Sequence, residues 1–433
     1  MLRYSLDKLK SGLKVIRIPM NSIESLTVLA LVNTGSRYEK EKQEGIAHFL
    51  EHMIFKGSEK YPDAQTLATA VDSVGANFNA FTSKEYMGFY VKAAAKHSEL
   101  ALDVISDMLL KPKLRQADIE REKKVIIEEL NMYVDNPSHH VANLFDNMVY
   151  RGSGLSHDIV GRKETIMSFK TNDFQNFLNQ FFGLANTVLI LSGKKSLVEN
   201  NKILEELDKF FSKTPDFRTT QDKNLDIGKF LSENPISVDK LHLEYRKTEQ
   251  AHFVMGWPAI KRKSKKRYAL TLLSVILGGN MSSRLFSELR EKRGLCYYIN
   301  SDIDQFHDGG VFGASAGVDV SRVEEAIKLA IAEFAAIADG SKAISDKELR
   351  KAKDHLLGKM VLGFEDSEAV AQYFGMKQLL MGQIETPDEV LKKVQAVSKE
   401  EIEALAKEIV KPAELRLALI GPFKDRGRFE NII

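Results

Sequence analysis

The same order of elements occurs twice along this chain, on either side of a polar, turn-rich stretch, and that repetition limits the folds open to it more than any other feature. Before the stretch, a strand-like run over 26–33 leads to a helix over 45–55 and a longer helical segment over 62–74. A strand pair at 77–82 and 86–93 comes next, then helices over 97–110 and 116–133. After the stretch, HFVMGWPA (252–259) reads as a strand and 264–277 as a helix. The segment MSSRLFSELREKRG (281–294), the strands CYYINSDI (296–303) and GVFGASAGV (310–318), and helices over 323–338 and 345–364 follow. Duplication is the economical explanation. Strands and helices joined by short connections predict two homologous α+β domains, each a twisted sheet with helices packed on one face. The dividing stretch, TPDFRTTQDKNLDIGKFLSEN at 214–234, has no sustained periodicity. We therefore expect a first domain over 1–215, a linker over 216–234 and a second domain over 235–433.

A chain of 433 residues agrees with that division, since a single core rarely serves much more than roughly 150 residues. Hydrophobic residues make up 43% and charged residues 28%, the balance of a folded globular protein. Lysine plus arginine number 62 against 60 aspartate plus glutamate, so no global field exists to gather nucleic acid or an anionic membrane. Cys296 is the sole cysteine, which excludes both an internal disulfide and a thiolate zinc cluster. Any metal must be held by histidine and carboxylates. The opening MLRYSLDKLKSGLKVIRIPM lacks the apolar core of a secretion signal, and no run of about 18 apolar residues occurs. A soluble, cytoplasmic protein is the expectation.

His48, Phe49, Leu50, Glu51 and His52 form H-x-x-E-H within a helical pattern. Positions i, i+3 and i+4 project from one helix face, so both imidazoles and the Glu51 carboxylate can reach a common point. Zinc hydrolysis needs that set: two neutral nitrogen ligands, and a carboxylate close to the attacking water but free to take its proton. A third ligand is sought on the helix over 116–133. There Glu122 and Glu129 fall on the same side as Val125, Ile126 and Tyr133, whereas Glu128 falls away. An ionised carboxylate on an inward stripe costs several kcal/mol unless something compensates it, and a divalent cation does so. Glu129 is thus the expected third ligand, and Glu122 a supporting group that orients a histidine or the water.

HFLEHMIFKG at 48–57, followed by EREKKVIIEEL at 120–130, resembles the inverted zinc motif of the pitrilysin and insulin-degrading-enzyme family, especially the mitochondrial processing peptidase and its short bacterial relatives. The opening SGLKVI, the run GANFNAFT at 75–82 and SRLFSELREKRGLCY at 283–297 resemble family segments in the expected order, so the likeness covers essentially the whole chain. It implies mostly antiparallel sheets and a zinc metalloendopeptidase that hydrolyses extended or unfolded peptides in a chamber between two domains. One Zn2+ per chain would be held by His48, His52 and Glu129, with Glu51 as catalytic base. The resemblance further implies that Asn79, Ala80 and Phe81 form an edge strand that pairs with substrate backbone. It implies that an arginine and a tyrosine of the second half contact substrate and polarise the scissile carbonyl. By spacing these are Arg290 and Tyr297, with Arg293 and Tyr298 as close rivals. Self-association, or pairing with a homologous chain, is implied because longer relatives hold four such domains. The alternative is a non-catalytic structural or partner subunit, as in respiratory complexes and processing peptidases.

The second half carries no zinc motif: aligning 346–360 with 116–130 sets Ala352 and Lys359 opposite Glu122 and Glu129. It reads as a degenerate copy that completes the substrate site. His139 and His140, after Asn136-Pro137, read as a solvated turn, and His97 and His157 as surface residues. Gly309, Gly310, Gly313 and Gly317 lack the context of a nucleotide loop and read as strand glycines at close backbone approaches.

Overall fold

The computed structural model describes residues 2–211, 227–232 and 236–433; most of the expected linker, 216–234, lies outside the described residues. Among the described residues two sheets form. The first comprises β1 (Ser5–Lys8), β2 (Lys14–Met20), β3 (Ser25–Val32), β4 (Asn77–Thr82), β5 (Met87–Ala94) and β6 (Thr187–Lys194), in the order β1-β2-β6-β3-β5-β4. The second comprises β7 (Leu241–Tyr245), β8 (Gln250–Pro258), β9 (Cys296–Gln305), β10 (Gly310–Asp319) and β11 (Arg416–Gly421), in the order β7-β11-β8-β10-β9. Within each sheet one described pair is parallel, β2 with β6 and β7 with β11, and the remaining pairs are antiparallel. With β1 set aside, the two strand orders correspond one to one, and the parallel pair falls in the same place. That is the signature expected of a duplicated unit.

The central strands explain themselves. In β3, SLTVLALV, every residue from Leu26 to Val32 is buried, and because alternate side chains point to opposite faces, both faces must be covered. On one face Ile16, Ile18, Leu29, Leu31 and Ile190 pack against Val370, Ala371 and Phe374 of the helix Ser367–Met376. On the second sheet Val254, Val311, Ala418 and Ile420 pack against Val141, Phe145 and Met148 of the helix Pro137–Val149. Each sheet thus takes one covering helix from the other half of the sequence. The compact units are interleaved accordingly: Met1–Leu130, His157–Phe230 and Met360–Glu389 in one, Asn131–Ser156, Leu231–Lys359 and Val390–Ile433 in the other. The contiguous stretches 1–215 and 235–433 each supply their own sheet but exchange this helical cover. An apolar stripe shows that a helix must be buried and carries no address for the sheet that buries it.

Residues 136–140 open the helix Pro137–Val149, which corrects the solvated turn expected from Asn136-Pro137. The Asn136 side chain accepts a hydrogen bond from the Ser138 N–H at 3.1 Å, and Pro137 occupies the first turn, where its missing N–H costs nothing. His140 is consequently partly buried, its Nε2 3.0 Å from a Glu244 carboxylate oxygen. His157 is also partly buried, with Nδ1 3.1 Å from the Ser36 carbonyl oxygen. No described helix is long and apolar enough to cross a membrane.

Candidate metal centre

The motif residues lie on the helix Ile46–Ile54 of the first unit, where Ile46, Ala47, Phe49, Leu50, Met53 and Ile54 are wholly buried and fix which way the helix faces. Two features set its start. Gly45 has a φ of 93°, and a Cβ there would meet the Val160 carbonyl oxygen at 2.4 Å, so only glycine fits. Glu39 then supplies the acceptors that the helix N-terminus lacks, taking hydrogen bonds from the N–H groups of Gly45 and Ala47, both at 2.8 Å. Burial pushes the Glu39 carboxyl well above the usual carboxylate range, the two N–H donors oppose that push, and Glu44 adds to it. The sequence reading passed over Glu39, which precedes the helix by too many residues to register as a cap. Glu39→Ala should destabilise the fold by about 2 kcal/mol, since it leaves two buried donors without their acceptor. Urea denaturation of the two proteins checks this, and coincident midpoints would refute the capping role.

The ligand atoms of His48, His52 and Glu129 lie within 4.8 Å of one another. His48 Nε2 is 3.5 Å from one Glu129 oxygen and His52 Nε2 is 3.3 Å from the other. Zinc bonds of 2.0–2.2 Å in tetrahedral geometry place neighbouring ligand atoms roughly 3.3–3.6 Å apart, and each imidazole Nε2 stands at that distance from one of the two Glu129 oxygens. The two imidazoles stand edge to face, with centroids 4.7 Å apart. His52 Nδ1 is 2.9 Å from a Glu122 oxygen, and Lys56 Nζ is 2.6 Å from the other. A carboxylate at Nδ1 fixes the tautomer that leaves Nε2 for a metal. Burial would lower the His52 pKa, but hydrogen bonds and charge from Glu122 and Glu129 outweigh it and push His52 up to about 9. Glu129 is held far below the usual carboxylate range, chiefly by hydrogen bonds from His48 and His52. For Glu122, burial pushes the pKa up, yet His52 and Lys56 bring it below the ordinary value.

Glu51 is on the same helix, and its carboxylate accepts a hydrogen bond from the Thr82 hydroxyl. Thr82 ends β4, the strand at the rim of the first sheet. Asn79, Ala80 and Phe81 lie on that strand and pair with Tyr90, Phe89 and Gly88 of β5 on one side only. Glu122 and Glu129 lie on the helix Gln116–Asp135, where Ile119, Glu122 and Ile126 are buried and Glu128 is exposed. Val125 departs from the expected inward stripe and is 51% exposed, because successive helical residues turn by about 100° and only Ile126 of that pair can face the core.

Arg290 and Tyr297 belong to the second unit. The Arg290 guanidinium lies 4.7 Å from the centroid of the Phe286 ring and 5.4 Å from that of Tyr297. Tyr297 is 73% exposed. Its rival Tyr298 has its hydroxyl 3.0 Å from His252 Nδ1, and its ring crosses Gly317, where a Cβ would fall 2.4 Å from a ring carbon. Burial pushes the Tyr298 hydroxyl up to about 12, with Asp302 adding to the effect. Arg293, the rival arginine, lies 3.8 Å from Glu325. The structure therefore groups His48, His52, Glu122 and Glu129 in one cluster, with Glu51 on the same helix as the two histidines and bonded to Thr82, and Arg290 with Tyr297 in another. It adds Glu39, Thr82 and Lys56, which the sequence reading had not assigned; Thr82 closes the same GANFNAFT run and was the one within reach.

Comparison with known proteins gives a consistent result. Residues 16–163 match the model of the insulinase family, peptidase family M16, and residues 168–356 match that of the M16 inactive domain. An uncharacterised zinc protease of Streptomyces coelicolor is 31% identical over 420 residues, covering 96% of this chain and 89% of the relative. Another, YmxG of Bacillus subtilis, is 30% identical over 416 residues, covering 95% and 97%. Among solved structures, a protease from Helicobacter pylori shares the fold with a TM-score of 0.86 at 22% identity, covering 98% of this chain and 100% of that one.

Proposed function

Because the chain belongs to the insulinase family of M16 peptidases, we propose that it is a zinc endopeptidase acting on extended or unfolded peptides. The observation that carries this reading is the convergence of His48, His52 and Glu129 at zinc-like spacing, with Glu51 one residue from a ligand and anchored to the edge strand. Bound zinc would supply a Lewis acid that polarises the scissile carbonyl and acidifies water. Glu51 takes the proton of the attacking water and returns it to the leaving amine. Glu122 keeps the His52 ring oriented through Nδ1. The open side of β4 at Asn79, Ala80 and Phe81 offers backbone groups to an extended peptide, which a folded globule cannot present. The M16 inactive-domain match over 168–356, most of which lies in the second half, agrees with a copy that carries no metal ligands.

Zinc quantitation after metal supplementation, together with digestion of an unstructured peptide library read by mass, tests the proposal. A chain that held no zinc and left every peptide intact would instead be a non-catalytic partner subunit. Within the same reading Arg290 and Tyr297 contact substrate, and Tyr297 donates to the developing oxyanion. Tyr297→Phe should then cost roughly a hundred- to a thousandfold in kcat, about 2.7–4 kcal/mol, at unchanged zinc content. Tyr298→Phe should cost far less, since its hydroxyl is engaged with His252. A near-normal rate in Tyr297→Phe would remove the second half from the chemistry.

A further inference from the structure

Lys56 follows the motif helix and is joined to the helix bearing Glu122 and Glu129 in two ways. Through its side chain, Nζ lies 2.6 Å from Glu122 Oε2, while Glu122 Oε1 lies 2.9 Å from His52 Nδ1. The Glu122 side chain is only 5% exposed, so solvent does little to hold it, and the imidazole and the ammonium take one oxygen each. Through its backbone, the Lys56 carbonyl accepts from Arg115 Nη2 at 3.1 Å, and the neighbouring Gly57 carbonyl accepts from the Lys113 N–H at 2.8 Å. Arg115 is in turn ion-paired with Asp118, in the first turn of the helix Gln116–Asp135. The two segments that carry the metal ligands are therefore clasped at residues 56–57 and 113–118.

We propose that Lys56 is a positioning residue of the metal centre, holding Glu122 on His52 Nδ1 so that His52 Nε2 stays directed at the ion. The inference rests on the zinc reading above and adds a residue to it. The physical reason is that a buried carboxylate with only one oxygen engaged is free to rotate or to draw in water, and the imidazole it orients loosens with it. Lys56 is the one cation whose ammonium closes the second oxygen among the described contacts of Glu122.

Zinc dissociation constants, measured by competition with a chromogenic chelator, test this in the full-length protein. Lys56→Met should weaken zinc binding roughly tenfold, the low end of what outer partners of a ligand contribute. Lys56→Arg, which keeps N–H donors toward the carboxylate, should stay close to wild type. In a Glu122→Gln background Lys56→Met should add no further loss, because its effect passes through that carboxylate. An unchanged constant in Lys56→Met, or an equal loss in both backgrounds, overturns the assignment. Should Lys56→Met not fold, Lys56→Gln is read by the same criteria. Wild-type protein that held no zinc would overturn the metal site itself, whereas zinc-loaded wild type with an unaffected Lys56 variant sinks the Lys56 role alone.

Discussion

Replacing Glu51 by glutamine is expected to leave zinc content unchanged and to remove most turnover, by roughly two to four orders of magnitude in kcat. The substitution preserves volume, and the Gln carbonyl oxygen still accepts the hydrogen bond that Thr82 gives to Glu51, so the local geometry survives. What is lost is the ability to take a proton from water. The ligands flanking it do not depend on that proton: His48 and His52 are fixed by the buried residues of their helix and by Glu122. The check is paired, with zinc by elemental analysis and steady-state rates on one unstructured peptide. Loss of zinc in this variant would mean that Glu51 is a ligand and that the roles proposed here are wrong.

The opposite pattern is expected one helix away. Glu129→Gln removes the anionic oxygens that lie 3.5 Å and 3.3 Å from the two imidazoles. Zinc binding should weaken by more than the 10–100-fold typical of residues that merely support a ligand, and activity should fall with occupancy. Glu128→Gln changes the same residue type at the adjacent position, but Glu128 is exposed on the other side of the helix and should alter neither quantity. Chelator competition on both variants decides the matter. A strong zinc defect in Glu128→Gln with none in Glu129→Gln would place the ligand on the wrong face of the helix.

These two predictions rest on different kinds of information. The relation among His48, Glu51 and His52 is local, since three side chains within five residues of one helix share a face by helical geometry alone, and the sequence determined it. Glu129 is nearly as legible, because a glutamate on the same side as Ile126 needs a reason to be there. Val125 marks the limit of that reasoning: the wheel placed it inward, yet the buried stripe runs through Asp118, Ile119, Glu122, Lys123 and Ile126 and leaves Val125 exposed. The duplicated order of elements likewise foretold two corresponding sheets, because hydrophobic period and turn residues are written locally.

Contacts between distant segments could only be decided by folding. Nothing in the residues around Glu39 says that its carboxylate caps a helix beginning at Ile46, since that bond exists only after the intervening chain turns back on itself. Lys56 reads as an ordinary cation until the helix carrying Glu122 is laid beside it. The exchange of covering helices is the largest such case. Pro137–Val149 and Ser367–Met376 each carry an apolar face that had to be buried, and hydrophobic burial is non-directional, so their sequences fixed the need and left the partner open. The partner was chosen by tertiary packing, where Phe145 came to lie among Val254, Val311, Ala418 and Ile420 of one sheet and Phe374 among Ile16, Ile18, Leu29, Leu31 and Ile190 of the other.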